Sequence, residues 1–170
     1  MRFWWFLLLI LAGFLLSSTA FSFLQVWGVK PDLVLVLVII NGFLYGPREG
    51  ALWGFAGGIL QDFLGAGYLG MHALTGMAAG WLAAVAGTRF YRDNAGVLLI
   101  SAFLVSLAAG VLNYLLLLFL SFFVPLHVSV QAAFGRNIPL SSAYNALAAL
   151  PLARLFPGYP QSLHLRRDHL

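Results

Sequence analysis

The segment that decides the fold of this chain runs from residue 46 to residue 62 and reads GPREGALWGFAGGILQD. Glycine occurs in it at every fourth position, and Asp62 continues that spacing one helical turn later. Since a step of four residues overshoots one helical turn by about 40°, these glycines form a slowly winding groove on a helix. Another backbone or a ligand can approach such a groove closely. The glycines are Gly46, Gly50, Gly54 and Gly58, with Gly57 beside them.

The composition around this segment excludes a soluble globular protein. Nine basic and five acidic residues among 170 make 8% charged residues, and 62% of the chain is hydrophobic, whereas a soluble domain averages about 25% charged residues. Such high hydrophobicity also excludes disorder, and the absence of cysteine excludes disulfide scaffolds and thiolate chemistry. We therefore expect an integral membrane protein. Its scattered basic residues form no patch for nucleic acid.

Charges, prolines and glycines divide the chain into six apolar segments. This pattern predicts an all-α integral membrane protein with a single membrane domain, residues 1–156, and a polar cytoplasmic tail, residues 157–170. The six predicted transmembrane helices cover about residues 3–24, 32–45, 48–64, 70–88, 95–124 and 131–156. A spanning helix needs about 20 apolar residues, and the second and third segments are shorter. These two therefore either cross the bilayer fully or enter it as a re-entrant hairpin.

The positions of the basic residues predict that both termini are cytoplasmic. Lys and Arg accumulate on the cytoplasmic side of a membrane protein, and six crossings leave only Lys30 and Arg136 on the opposite side. The other basic residues are Arg2, Arg48, Arg89, Arg92, Arg154, Arg166 and Arg167; the side of Arg48 depends on full crossing. A cleaved secretory signal ending near Ala20 is the alternative for the amino end, but it leaves five spans and contradicts this distribution.

Small residues recur at helical spacing in the later segments as well. Helices in a bilayer associate through close packing at small residues and through hydrogen bonds, so these faces either pack the chain's own helices or accept a partner's helix. The candidate partner-binding residues are Gly50, Gly54, Gly57 and Gly58 on the third segment, and Gly76 and Gly80 on the fourth. The fifth and sixth segments carry similar internal faces with Ser106, Gly110 and Asn113, and with Ser141, Asn145 and Ala149.

Four charged residues flank the second and third segments. Asp32 follows Pro31 and can accept hydrogen bonds from the free amides of a helix start. Asp62 near the membrane boundary is costly unless it is paired or hydrated. Arg48 and Glu49 form either a solvated turn or, together with Asp62, a site for a partner's juxtamembrane segment.

No catalytic or metal-binding arrangement emerges from the sequence. His72, near the start of the fourth segment, shares no helix face with a carboxylate and another histidine. The chain has no phosphate-binding loop with a lysine, no HExxH motif and no serine nucleophile elbow. We therefore predict that the protein is not an enzyme and carries no metal or cofactor.

Four motifs in this order and spacing resemble the rod shape-determining protein MreD family. They are KPDL at 30–33, GPREG at 46–50, GFAGGILQD at 54–62 and GYLG at 67–70. The resemblance implies that the family's motif positions correspond here to Pro31, Asp32, Gly50, Gly54, Gly58, Asp62 and Gly70. Gly67 belongs to the last motif, and His72 stands at a position that is often polar in the family. Pro31, Asp32, Arg48, Glu49, Asp62, Gly67, Gly70 and His72 are then expected to orient the loops at the two membrane faces.

The resemblance implies a non-enzymatic, multi-pass subunit of the bacterial inner membrane that acts in cell shape and peptidoglycan synthesis. Its expected partner is MreC, whose transmembrane helix would dock on the small-residue faces of the third and fourth segments. Through MreC the complex would reach MreB, RodA and a class B penicillin-binding protein. The implied architecture is similar to the S-component of energy-coupling-factor transporters. The alternative function is therefore a small-solute-binding transporter subunit, which predicts a polar, solvent-reachable cavity.

Overall fold

The computed structural model describes residues 2–19, 29–65, 68–89, 94–123 and 137–156, and six helices and no strand occur in these ranges. This arrangement confirms the predicted all-helical class, and the described residues contain six helices in the predicted order. The helices are α1 (Arg2–Ser18), α2 (Leu33–Tyr45), α3 (Pro47–Leu64), α4 (Met71–Arg89), α5 (Ala95–Ser121) and α6 (Ile138–Ala153). Some of the predictions fall outside the described residues. They are the predicted end of the first segment (20–24), the predicted start of the sixth segment (131–136, with Arg136), the predicted tail (157–170), and the residues Gly67 and Arg92.

Helix α2 lies at the centre of the bundle because its sequence is apolar on every side. It reads LVLVLVIINGFLY, and eleven of its 13 residues are buried. It packs against all five of the other described helices, as expected for a helix without a polar face. The shortest described helix is therefore the core of the fold.

The first two family motifs form the two ends of α2. At its start, the Asp32 carboxylate accepts a hydrogen bond from the Leu35 amide at 3.0 Å, which confirms the predicted capping role. At its end, Gly46 adopts φ +105°, a conformation that residues with a Cβ rarely adopt. Pro47 then begins α3 at a position where its missing N–H costs nothing. The GPREG motif is thus a tight connection between two helices.

Successive described helices run in opposite directions, so the bundle has two distinct ends. The Asp32 end is where α2, α4 and α6 begin and α3 and α5 end. Contacts at this end join Asp32 to Gln61 of α3 and to Asn145 of α6. At the opposite end, named the Arg48 end, Phe6 of α1 stacks edge-on against Phe156 at 5.7 Å between ring centroids.

The basic residues of the described chain are divided unequally between these ends. Arg48 starts α3, Arg89 ends α4 and Arg154 follows α6, so all three lie at the Arg48 end with the start of α1. Lys30 lies at the Asp32 end, before α2. The packing of the helices thus brings the basic residues of separate segments to one end.

Among the described helices, α5 is long and apolar enough to cross a membrane, judged by its length and mean hydropathy alone. Two further helical stretches, Trp4–Ser17 and Leu33–Tyr45, are apolar but shorter. Helices α3 and α4 have 18 and 19 residues, but their glycine and alanine content lowers their hydropathy. The small residues that let these two helices pack closely thus also make them less hydrophobic than α5.

Candidate functional site

Helices α3 and α4 are in close backbone contact through their glycines. A Cβ atom added to Gly50, Gly54 or Gly58 would overlap the backbone carbonyl of Gly80, Gly76 or His72, respectively. The reverse holds as well, because a Cβ on Gly76 or Gly80 would overlap the carbonyl of Gly54 or Gly50. The two backbones are thus in direct contact, as small residues permit in helix pairs of membrane proteins.

This contact corrects the expected occupant of the glycine groove. Helix α4 of the same chain, not a partner's helix, lies against the glycines of α3, so no guest helix fits between them. Gly57 faces inward too, toward the side chains of Val34 and Ile10. Gly46 lies outside the packed ridge, since nothing is within 4 Å of a Cβ placed there.

Two further glycines complete the packing: Gly87, which continues the small-residue spacing of Gly76 and Gly80, and Gly42. A Cβ on Gly42 of α2 would overlap the carbonyl of Gly80, and one on Gly87 of α4 would overlap that of Phe43. Gly42 stands alone in an apolar helix, so spacing gave no signal for it. Its role appears only when α2, α3 and α4 are seen together.

Asp62 holds the start of α4 from the end of α3. Its carboxylate accepts hydrogen bonds from the amides of Gly70 at 2.8 Å, His72 at 3.1 Å and Ala73 at 3.2 Å. Helix α4 needs this help because Gly70, which precedes it, adopts φ +95° and has no side chain to cap it. Asp62 therefore orients this loop by intramolecular contacts.

His72 completes the shell around the Asp62 carboxylate. Its Nδ1 lies 2.8 Å from Asp62 Oδ1, and its side chain is 40% exposed while that of Asp62 is 1% exposed. The sequence did not predict that His72 pairs with Asp62, because the two residues lie on different helices. Their separation of ten positions across a glycine-rich turn was the available signal. No group of three or more metal-ligating side chains occurs in the described part of the chain.

A second polar network joins four helices at the Asp32 end. Besides capping α2, Asp32 accepts a hydrogen bond from Gln61 Nε2 at 2.8 Å. The Asp32 amide donates to Asn145 Oδ1 at 2.8 Å, and Asn145 Nδ2 donates to Ser106 Oγ at 3.3 Å. Ser106 and Asn145 are buried, so each satisfies the other where water is excluded.

This network forms part of the wall of a cavity of about 430 Å³ between α2, α3, α4, α5 and α6. That volume lies within the range of small-molecule sites, about 300–1,000 Å³. Polar side chains from every one of these helices or their first turns line it. They are Lys30, Asp32, Gln61, His72, Thr75, Ser106, Asn113, Tyr114, Asn137, Ser141, Ser142 and Asn145. Apolar side chains, among them Val34, Val38 and Ile138, line the rest of the cavity. The polar, solvent-reachable cavity of the transporter alternative stays a prediction.

This cavity is not lined by three other candidate residues, Pro31, Arg48 and Glu49. Arg48 and Glu49 are exposed at the start of α3, and Glu49 Oε2 accepts a hydrogen bond from Trp53 Nε1 at 3.1 Å. Pro31 lies in the extended segment before α2. The structure therefore gathers Asp32, Asp62 and His72 at one end and leaves Arg48 and Glu49 at the other.

Replacing Asn145 by leucine is expected to loosen the junction of α2, α5 and α6. The Asp32 amide then loses its acceptor, and a buried donor left without a partner costs about 1–3 kcal/mol. Thermal unfolding of the purified protein in detergent measures the loss. Asn41→Leu is the matched control, because Asn41 is also buried and its Oδ1 has no partner among the described residues. Equal destabilisation by both changes would contradict the assigned role of Asn145.

The fold and the site together define an α-helical bundle whose helices pack through glycine contacts beside a cavity with polar and apolar walls. A family model described as rod shape-determining protein MreD matches residues 1–162. The chain therefore belongs to the MreD family, a family of bacterial membrane proteins that determine rod shape. Searches of curated proteins and of solved structures found no match. The expected likeness to energy-coupling-factor S-components has no support from them and stays a prediction.

Proposed function

We propose that this chain is a non-enzymatic subunit of the rod complex that binds MreC in the bacterial inner membrane. The match to the rod shape-determining family along residues 1–162 supports this function. MreC in turn links the chain to MreB, RodA and a class B penicillin-binding protein. Both termini are cytoplasmic in this proposal. The accumulation of Arg48, Arg89 and Arg154 at one end of the bundle supports that orientation.

The glycine faces cannot serve as the binding surface, because α3 and α4 cover them for each other. We place the MreC contact on the outward side of the same two helices. On α3, the exposed residues Leu52, Phe55 and Phe63 form an apolar stripe at helical spacing. On α4, Met77 and Trp81 are exposed apolar side chains as well. Apolar surface of this kind accepts either lipid or a partner's transmembrane helix.

Enlarging a small exposed residue in this stripe tests the placement. Ala56→Trp is expected to reduce the MreC that co-purifies with the tagged chain from native membranes by about tenfold, equivalent to about 1.4 kcal/mol. Ala56 is exposed on α3, so the larger side chain blocks a partner without entering the bundle.

Leu104→Trp on α5 is the control for this experiment, because Leu104 is also exposed, at 56%, but on a different helix. Both variants are expected to reach the membrane in normal amounts. Loss of MreC with Leu104→Trp alone would move the contact to α5. Undiminished recovery of MreC with both would refute an outward contact on either helix, and failure of the unmodified chain to recover MreC would refute the proposed function.

A further inference from the structure

We propose that the cavity at the Asp32 end binds a small, electrically neutral molecule that carries hydroxyl and amide groups, such as a sugar derivative. This inference does not depend on MreC binding. It is carried by the chemistry of the lining, by its charge balance and by a buried hydroxyl group that lacks a partner in the described protein.

The lining combines apolar side chains, such as those of Val34, Val38 and Ile138, with hydrogen-bonding groups that are predominantly uncharged. Gln61, Asn113, Asn137 and Asn145 contribute amides, each with both donors and an acceptor. Serine and threonine hydroxyls stand among them and can donate or accept. The hydroxyl-bearing residues of this kind are Thr75, Ser106, Ser141 and Ser142. Gln61 and Asn145 already donate to Asp32 and Ser106 within the protein, so a ligand that both donates and accepts would meet the groups of this wall that remain.

The formal charges at the cavity balance. Lys30 and Asp32 contribute one positive and one negative charge to the lining. The nearby Asp62 carboxylate is engaged by four hydrogen bonds from the start of α4. An anionic or cationic ligand would therefore find no excess of opposite charge, and desolvating its own charge would go uncompensated.

Thr75 is a residue of the cavity wall whose hydroxyl is not satisfied within the described protein. It lines the cavity, is 6% exposed, and its Oγ1 has no hydrogen-bond partner among the described residues. A buried hydroxyl without a partner costs about 1–3 kcal/mol.

Binding of labelled N-acetylglucosamine to the purified protein in lipid nanodiscs tests the proposal by equilibrium dialysis. This probe is neutral and carries hydroxyls and one amide. We expect saturable binding with a Kd below about 1 mM. Unlabelled N-acetylglucosamine is expected to compete, whereas the cationic glucosamine and the anionic N-acetylglucosamine 1-phosphate compete at least about tenfold less well.

Two substitutions locate the binding in the cavity. Thr75→Val removes the hydroxyl at nearly constant shape, and we expect it to weaken binding by about tenfold. Thr88→Val is the matched control on the same helix, because Thr88 is exposed and its hydroxyl donates to the Val85 carbonyl. Ala109→Leu, a substitution at a buried wall position, is expected to fill the space and abolish binding.

Three results would overturn the proposal. They are absence of saturable binding by the unmodified protein, equal competition by the charged analogues, and identical binding by the Thr75→Val and Thr88→Val variants. Because the assay contains no MreC, its outcome is separate from that of the proposed function. Recovery of MreC by the Thr75→Val variant, together with lost binding of the probe, would show the two properties to be independent.

Discussion

Replacing Gly54 by alanine is expected to separate α3 from α4 and leave little folded protein. A Cβ at this position would overlap backbone atoms of Gly76 and Met77. Backbone cannot move aside as a flexible side chain can, so the cost lies at the upper end of that for overpacking, about 3 kcal/mol or more. The yield of monodisperse protein and its midpoint of thermal unfolding in detergent measure the effect.

Gly57→Ala is the matched control for this prediction. It makes the same chemical change three residues along the same helix, but the nearest contact would be the Val34 Cγ1 atom, at 3.1 Å. Both substitutions gain up to about 1 kcal/mol of helix propensity, so their difference isolates packing. We expect Gly57→Ala to stay within about 1 kcal/mol of the unmodified protein. A Gly54→Ala variant as stable as Gly57→Ala would contradict direct contact between the two backbones.

Replacing Asp62 by alanine is expected to unwind the first turn of α4 and destabilise the bundle. The amides of Gly70, His72 and Ala73 lose their acceptor, and each buried donor without a partner costs about 1–3 kcal/mol. Water reaches this site through the exposed part of His72, so we expect a total near 3 kcal/mol. Hydrogen exchange of the α4 amides reports the unwinding directly, and thermal unfolding reports the total.

Two further variants serve as comparisons for the destabilisation by Asp62→Ala. They are Asp62→Asn and Glu49→Ala. Asparagine keeps one acceptor oxygen, so its destabilisation should be intermediate. Glu49 is an exposed carboxylate on the same helix that accepts a hydrogen bond from Trp53, and its loss should cost less than about 1 kcal/mol. Rapid exchange throughout α4 in the Glu49→Ala variant, or none in Asp62→Ala, would show that Asp62 does not act as the cap.

The capping of α2 by Asp32 was predictable because it depends on neighbours in sequence. A carboxylate placed directly before an apolar run reaches the free amides of the next turn, whatever surrounds it. The cap of α4 was not predictable in the same way. Its acceptor comes from α3, and only the antiparallel packing of the two helices brings Asp62 beside Gly70.

Local sequence also did not predict which helix lies in the glycine groove. The four-residue spacing established that some backbone would lie against Gly50, Gly54 and Gly58, because only a close neighbour makes the absence of side chains favourable. Spacing does not distinguish a helix of the same chain from a partner's helix. The structure assigns α4 to that position.

The sequence by itself predicted the helical class, the six helices that the described residues contain and the small-residue faces that lie inside, since these follow from composition and from periodicity along one segment. Only the tertiary structure decided that α2 is central, that His72 meets Asp62, and that Asp32, Thr75 and Asn145 surround one cavity. Periodicity assigns a residue to a face of its own helix. Which faces meet depends on the order and tilt of all the helices together, and local sequence does not encode that order.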